Sequence, residues 1–142
     1  MGKFITLSQN GELKEHFMEN FALPKIREII DCDMADYRVS PFNKFLSFKA
    51  VLLFDEEFLL KNEPQINKTA SILFGYMVNT HEVLCGNVAI VKSVYIEDEG
   101  EDLELLTDEE IEEIKQLCQR IERMQDMFVF ELHKPEVIVR CL

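Results

Sequence analysis

The chain has 142 residues, of which 47% are hydrophobic, with eleven Phe and no Trp. This length suits a single domain, and this hydrophobic fraction excludes a wholly disordered chain. The 27 acidic residues outnumber the 15 basic ones, giving a net charge of −12, which argues against the basic patch that nucleic acids and anionic membranes require.

Short elements are predicted in the first third of the chain. Residues 3–7 predict a strand, and the turn-forming Gln-Asn-Gly that follows is expected to open an amphipathic helix. The apolar face of that helix consists of Leu13, Phe17, Met18 and Phe21. Pro24 suits the first turn of a second short helix. Residues 34–44 have mixed polarity and contain a proline, which predicts an irregular link or an edge strand.

Strand-forming residues dominate the middle of the chain and return near its end. The first two strands are expected to form a hairpin across Asp55 and Glu56. Gly86 indicates a bulge or a turn within a later run. The predicted strands cover residues 45–54, 57–60, 71–78, 83–94, 128–132 and 137–139.

The helix that begins after Leu106 carries every start signal a sequence can show. Thr107 is the expected N-cap, Glu110 completes a capping box, and Leu106 pairs with Ile111 as a hydrophobic staple. Apolar residues then recur at spacings of three or four, so the helix presents one apolar stripe to a core. The stripe consists of Ile111, Ile114, Leu117, Cys118, Ile121 and Met124.

Strands and helices are segregated along the chain, which favours an α+β fold over a parallel α/β fold. We expect one compact domain over residues 1–142. A mostly antiparallel sheet of about four to six strands is covered by the helix of residues 107–125 and by the short N-terminal helices.

No segment predicts secretion or a membrane span. The N-terminus is charged throughout and lacks the apolar stretch of a signal peptide, and no apolar run approaches the roughly 18 residues that cross a bilayer. The four cysteines, at positions 32, 85, 118 and 141, show no redox or metal-binding spacing. We therefore expect a cytoplasmic protein with reduced thiols.

Motifs for catalysis, metal binding and phosphate binding are absent from the sequence. The three histidines stand in no ligand spacing and the five glycines are not clustered. The acidic run breaks the alternation that a calcium loop needs. We predict a protein that is not an enzyme and has no cofactor and no metal. One alternative is a small-molecule-binding or sequestering pocket beside the sheet, with Tyr76, His81 and Cys85 as its candidates.

Eleven of the acidic residues lie between Glu97 and Glu113, where no basic residue occurs. In residues 108–113 five carboxylates give the helix one charge per roughly 1.8 Å, close to the ~1.7 Å of duplex DNA. The run is either solvated surface that suits the helix dipole or a surface that binds a cationic partner. The residues of this predicted acidic surface are Glu97, Asp98, Glu99, Glu101, Asp102, Glu104, Asp108, Glu109, Glu112 and Glu113.

The order of motifs over about residues 45–117 resembles a known family. The motifs are a polar loop at residues 62–67, a strand beginning Gly-Asn-Val at Gly86, and the helix start Leu-Thr-Asp-Glu-Glu-Ile at Leu106. In this order they resemble a family of small proteins from phages, plasmids and conjugative elements that is catalogued only as a domain of unknown function. The resemblance implies a mobile-element origin and, for a phage protein, location in the host cytoplasm. It assigns no catalytic residue.

These observations together predict a non-enzymatic phage or mobile-element accessory protein. Its acidic surface is expected to bind the basic surface of a protein, such as a host defence nuclease, and to inhibit it in the manner of an anti-restriction or anti-CRISPR protein. The small-molecule pocket is the alternative function. A homodimer through an exposed Phe-rich strand is compatible with either function.

Overall fold

The structure is a computed structural model that describes residues 2–31, 35–39, 41–55, 65–74, 83–97 and 100–124. The strands of this part of the chain are β1 (Gly2–Leu7), β2 (Leu13–Met18), β3 (Ala35–Val39), β4 (Lys49–Asp55), β5 (Val88–Ile96) and β6 (Gly100–Glu104). The helices are α1 (Leu23–Ile29), α2 (Lys68–Phe74) and α3 (Asp108–Met124), and Pro41–Phe45 form a 3-10 helix.

All six strands belong to one antiparallel sheet. Its order is β2-β1-β5-β4-β3, and β6 also pairs with β5. One edge of β5 pairs with β4; on the other edge, β1 pairs with the first half and β6 with the second half. The predicted α+β fold, with a mostly antiparallel sheet and a covering C-terminal-half helix, is confirmed.

The two central strands, β4 and β5, are buried on both faces. Their sequences contain continuous apolar runs instead of an alternating pattern, as is typical of strands covered on both sides. One face packs against α2, α3 and the 3-10 helix, and the other against α1 and the residues that precede it.

The segment after Gly11 is a strand, and the helix predicted there is wrong. Gly11 has a φ of 82°, a conformation that glycine adopts readily. The hydroxyl of Ser8 accepts the backbone N–H of Glu12 at 3.1 Å and helps to close the turn. β2 then pairs along the whole of β1, which leaves Phe17 61% exposed. A short apolar pattern is compatible with the period of a helix and with that of a strand. The turn at Gly11 favours the hairpin.

The run at residues 71–78, predicted as a strand, begins instead as helix α2. Asn67 is its N-cap: Oδ1 accepts the N–H of Ala70 at 3.1 Å. The amide nitrogen of the same side chain donates to the carbonyls of Leu7 and Gly86, at 2.9 and 2.8 Å. Asn67 is only 1% exposed. This one side chain therefore joins the start of α2 to the end of β1 and to the turn before β5.

The remaining strand predictions have mixed outcomes. An edge strand is present as β3, and Gly86 lies in a turn with a φ of 76°. The run at residues 83–94 becomes strand β5 only from Val88 onward. The predicted strands at residues 57–60, 128–132 and 137–139, with the hairpin across Asp55 and Glu56, lie outside the described residues. Among the described helices, none combines the length and the apolar character needed to cross a membrane.

Helix α3 packs its predicted stripe against the sheet. Ile111 and Ile114 are each 2% exposed and Ile121 is fully buried. They belong to the same buried hydrophobic cluster as Leu52 of β4 and Ile90 of β5. The amphipathic period of this helix thus predicted its buried face correctly.

The Asn67→Ala variant tests the side chain that joins three elements. It removes the donor from two carbonyls and the cap from α2, so we expect a loss of about 2–4 kcal/mol in the free energy of unfolding. Urea denaturation measures it. Asn20→Ala, at an exposed position, is the control and should change stability by less than about 0.5 kcal/mol. Equal effects of the two substitutions would contradict this role of Asn67.

The Ile114→Ala variant tests the packing of α3. A buried methyl-rich side chain is lost, and we expect a destabilisation of roughly 2–5 kcal/mol by chemical denaturation. Gln119→Ala, on the exposed side of the same helix, controls for helix propensity and should be nearly neutral. An Ile114→Ala protein as stable as wild type would show that the stripe is not core.

Candidate functional site

The start of α3 is built by the predicted capping box. The hydroxyl of Thr107 accepts the N–H of Glu110 at 3.2 Å, and the Glu110 carboxylate accepts the N–H of Thr107 at 2.8 Å. Asp108, Glu109 and Glu110 lie in the first turn, where negative charge is favourable to the helix dipole. Part of the acidic run therefore stabilises the helix that carries it.

The acidic segment before α3 contains a strand, β6, that the sequence did not predict. After β6 the chain pairs with β1 through two backbone hydrogen bonds between Lys3 and Leu106, of 3.1 and 2.6 Å. Gly2 allows this approach, because a Cβ there would lie 2.8 Å from the Cβ of Leu105. Both ends of the acidic segment are thus attached to the sheet.

Three lysines from the sheet neutralise part of the acidic run. The pair between Lys92 and Glu110 is the most buried, with side chains 15% and 14% exposed. The other two are more exposed, and pairs of that kind contribute only about 0–1 kcal/mol. The three pairs are Lys3 with Asp108 at 3.0 Å, Lys49 with Glu101, and Lys92 with Glu110 at 2.8 Å.

These pairs shift the titration of their members. Burial acts to raise the pKa of Glu110, but hydrogen bonds from Lys92 and Thr107 outweigh it and place that pKa below its usual value. The hydrogen bond and the charge of Lys49 lower the pKa of Glu101. Asp108, through a hydrogen bond and its charge, raises the pKa of Lys3. Each shift favours the charged form of the group.

The residues of the predicted acidic surface fall into three groups. Glu101 and Asp108 form ion pairs, and Glu113 accepts hydrogen bonds from the N–H and the hydroxyl of Ser47, at 2.8 and 2.6 Å. Asp98 and Glu99 lie outside the described residues. The other five make no ion pair within the described part of the chain, and we call them the open carboxylates: Glu97, Asp102, Glu104, Glu109 and Glu112.

This division changes the comparison with duplex DNA. Of the five carboxylates counted along residues 108–113, only Glu109 and Glu112 are open. They are three residues apart, a spacing that places them on one face of the helix. The anionic surface therefore arises from the β5–β6 turn, β6 and α3 together, since the helix alone is less densely charged than its sequence indicates.

The candidates for the alternative pocket are not brought together in the described part. Tyr76 and His81 lie outside it, and Cys85 is 3% exposed. Burial raises the pKa of the Cys85 thiol to about 11. Burial and the charge of Glu122 raise that of Cys118 to about 12. Both thiols are free and protonated at neutral pH, which makes them poor nucleophiles. Among the described residues, no cluster of three or more His, Cys, Asp or Glu is arranged to hold a metal.

A groove that the sequence analysis missed lies beside β6, on the face of the sheet that carries α1. Its volume is about 240 Å³, and its lining includes Tyr37, Val39, Val51, Glu101, Asp102 and Leu103. The alternation of side chains along β5 predicts that Tyr95 faces solvent, and this residue is 77% exposed. No local signal brings β3 close to β6, because that depends on the order of strands.

Comparison with known proteins identifies no relative: no family model, no curated protein and no solved structure matches this chain. The resemblance of residues 45–117 to mobile-element proteins stays a prediction.

The Glu110→Gln variant tests the buried ion pair through pH, because the glutamine amide oxygen can still accept the N–H of Thr107 in the capping box. The pKa of Glu110 lies below the usual 4.5, so its contribution is complete above about pH 4.5 and is lost as pH falls through the lower folded-state value. We expect the variant to be about 0.5–2 kcal/mol less stable at neutral pH. The difference from wild type should shrink towards about pH 3.

Urea denaturation across this pH range measures the difference. Glu109→Gln is the matched control, because it removes the same charge from an adjacent, open carboxylate. A deficit for Glu110→Gln that stays constant or grows on acidification would contradict the assigned ion pair.

Proposed function

We propose that this chain is a non-enzymatic protein that binds the basic, nucleic-acid-binding surface of another protein through its open carboxylates. The observation that supports this most is the set of five exposed carboxylates, placed around one strand and one helix start, that make no ion pair with another described residue. Nearby lysines that would weaken the surface are already paired with other acids. The chain is then an anionic competitor of nucleic acid.

The rigidity of the elements beneath the charges supports binding. β6 is paired along β5, and α3 is capped by Thr107 and packed by Ile111. Charges held on ordered elements lose little conformational entropy when a partner binds. A solvated surface serving only solubility needs no such order, since dispersed charges serve solubility equally well.

The sign and the concentration of the charge indicate the class of partner. A concentrated anionic surface attracts a cationic one and accelerates its association. Proteins that bind nucleic acid carry such cationic surfaces. We propose a nuclease as the partner and, following the resemblance to mobile-element proteins, a host defence nuclease inhibited in the host cytoplasm.

The test neutralises three open carboxylates, Glu104, Glu109 and Glu112, as glutamines. Within the described part of the chain, none of the three belongs to an ion pair or to the capping box, so the variant should fold like wild type. Wild type immobilised on beads is expected to retain a nucleic-acid-binding protein from a bacterial lysate. The triple variant should lose most of that protein, because desolvated charge pairs cost about 2–5 kcal/mol each when truncated.

A matched control changes the same number of charges elsewhere. Glu12, Glu19 and Glu28, exposed on the β1–β2 turn, after β2 and on α1, become glutamines and should leave capture unchanged. Duplex DNA should displace the captured protein, and raising salt from about 50 to about 500 mM should weaken wild type more than the triple variant. Added chain should slow DNA cleavage by a captured nuclease.

Undiminished capture by the triple variant, or capture that duplex DNA does not displace, would exclude the open carboxylates as the binding surface. Capture of a protein with neither nuclease activity nor DNA binding would exclude the proposed class of partner.

A further inference from the structure

The groove beside β6 spans four adjacent strands of the sheet. Strand registers place Val39 of β3 opposite Val51 of β4, and Ser93 of β5 opposite Leu103 of β6. Tyr95 lies opposite Glu101 in the next row. With neighbouring strands about 4.8 Å apart, the distance from β3 to β6 is roughly 14 Å, about the length of four extended residues.

The chemistry of the groove changes from one side to the other. The β3 side is apolar and exposed: Tyr37 is 55% and Val39 43% accessible. The β6 side carries Glu101 and Asp102. Large exposed apolar side chains grouped beside charged ones are typical of interaction sites, and the two sides require different groups in an occupant.

We propose that this groove binds a short extended segment of a partner protein in which aliphatic residues are followed by arginine or lysine. The proposal rests on the proposed function, because it supplies the anchoring contact for the same basic partner. The aliphatic residues pack against the exposed side chains of Tyr37 and Val39, and the basic residues reach the carboxylates of β6.

Charge complementarity selects this occupant. Asp102 has no ion pair with any described residue, and Glu97 extends the negative charge at the end of β5. A cation there also approaches the ring of Tyr95, whose face attracts positive charge. An acidic or purely apolar segment would gain none of these contacts. A second copy of this chain would bring like charges together at the rim.

Lys49 supplies a specific test of the electrostatic part. Its ammonium group forms an ion pair with Glu101. The hydrogen bond between the two side chains is the largest cause of the lowered pKa of Glu101. Removing Lys49 leaves Glu101 available to the incoming basic residue. Stronger binding after removal of Lys49 cannot be explained by damage to the fold.

The probe is a fluorescein-labelled peptide of sequence Leu-Val-Arg-Lys-Arg, whose binding to the full chain is measured by fluorescence anisotropy. Two comparison peptides replace either the basic residues with acidic ones or the aliphatic residues with serine. We expect the probe to bind and both comparison peptides to bind at least about tenfold more weakly. Failure of the probe to bind, or equal binding of a comparison peptide, overturns the proposal.

Variants locate the site. Tyr95→Ala, at a position 77% exposed, should weaken probe binding about tenfold. Phe17→Ala, which removes a 61% exposed aromatic side chain on another strand, should not change it. Lys49→Gln should strengthen binding severalfold, whereas Lys14→Gln, with the same charge change on β2, should change it little. Unchanged binding in Tyr95→Ala or weaker binding in Lys49→Gln overturns the proposal.

Failure of the groove proposal and failure of the acidic-surface proposal give different results. If the triple variant of Glu104, Glu109 and Glu112 loses the captured protein while Tyr95→Ala retains it, the groove proposal is wrong and the acidic surface stands. If Tyr95→Ala loses both protein and probe while the triple variant keeps them, the groove stands alone. Concentration-dependent dimerisation that Tyr95→Ala abolishes, seen by sedimentation without probe, would show that a second copy occupies the groove and would overturn the proposal.

Discussion

Burial of β5 on both faces, together with hydrogen bonding along both of its edges, is the constraint on which the remaining structure depends. Its first residues, Val88–Val91, are apolar on either side of the strand, so helices must cover both faces of the sheet. Because β1 occupies only half of one edge, the other half is available to β6. Pairing of β6 with this half of the β5 edge positions the acidic segment and the start of α3.

The acidic run combines carboxylates that stabilise the fold with carboxylates that stay open, because its charges differ in their surroundings. Glu110 caps a helix and pairs with a largely buried lysine, whereas Glu109, the preceding residue, is open. Such pairs offset the repulsion that concentrated charge creates and keep the segment ordered. In the proposed function, the open carboxylates steer a basic partner, and the exposed Tyr37 and Val39 of the adjacent groove supply apolar contact area.

Sequence reasoning succeeded where the signals are local. The start of α3 follows from Thr107 and Glu110, which are three residues apart, and its buried face follows from the period of Ile111 and Ile114. The same reasoning failed for residues 13–18 and 68–74, whose apolar patterns are too short to separate helix from strand. Contacts with β1 decided the first case. The second followed from Asn67, whose three hydrogen-bond partners include two residues distant in sequence.

The α+β class, the position and buried face of α3, and the location of the negative charge follow from the amino-acid sequence alone, because each depends on neighbouring residues or on composition. Which carboxylates are open, and where a groove forms, depends on how distant parts of the chain come together. Ion pairs such as Lys92 with Glu110 join residues far apart in the chain, and Tyr37 shares a groove with Leu103 because four strands lie in a particular order. Local pattern carries no information about that order.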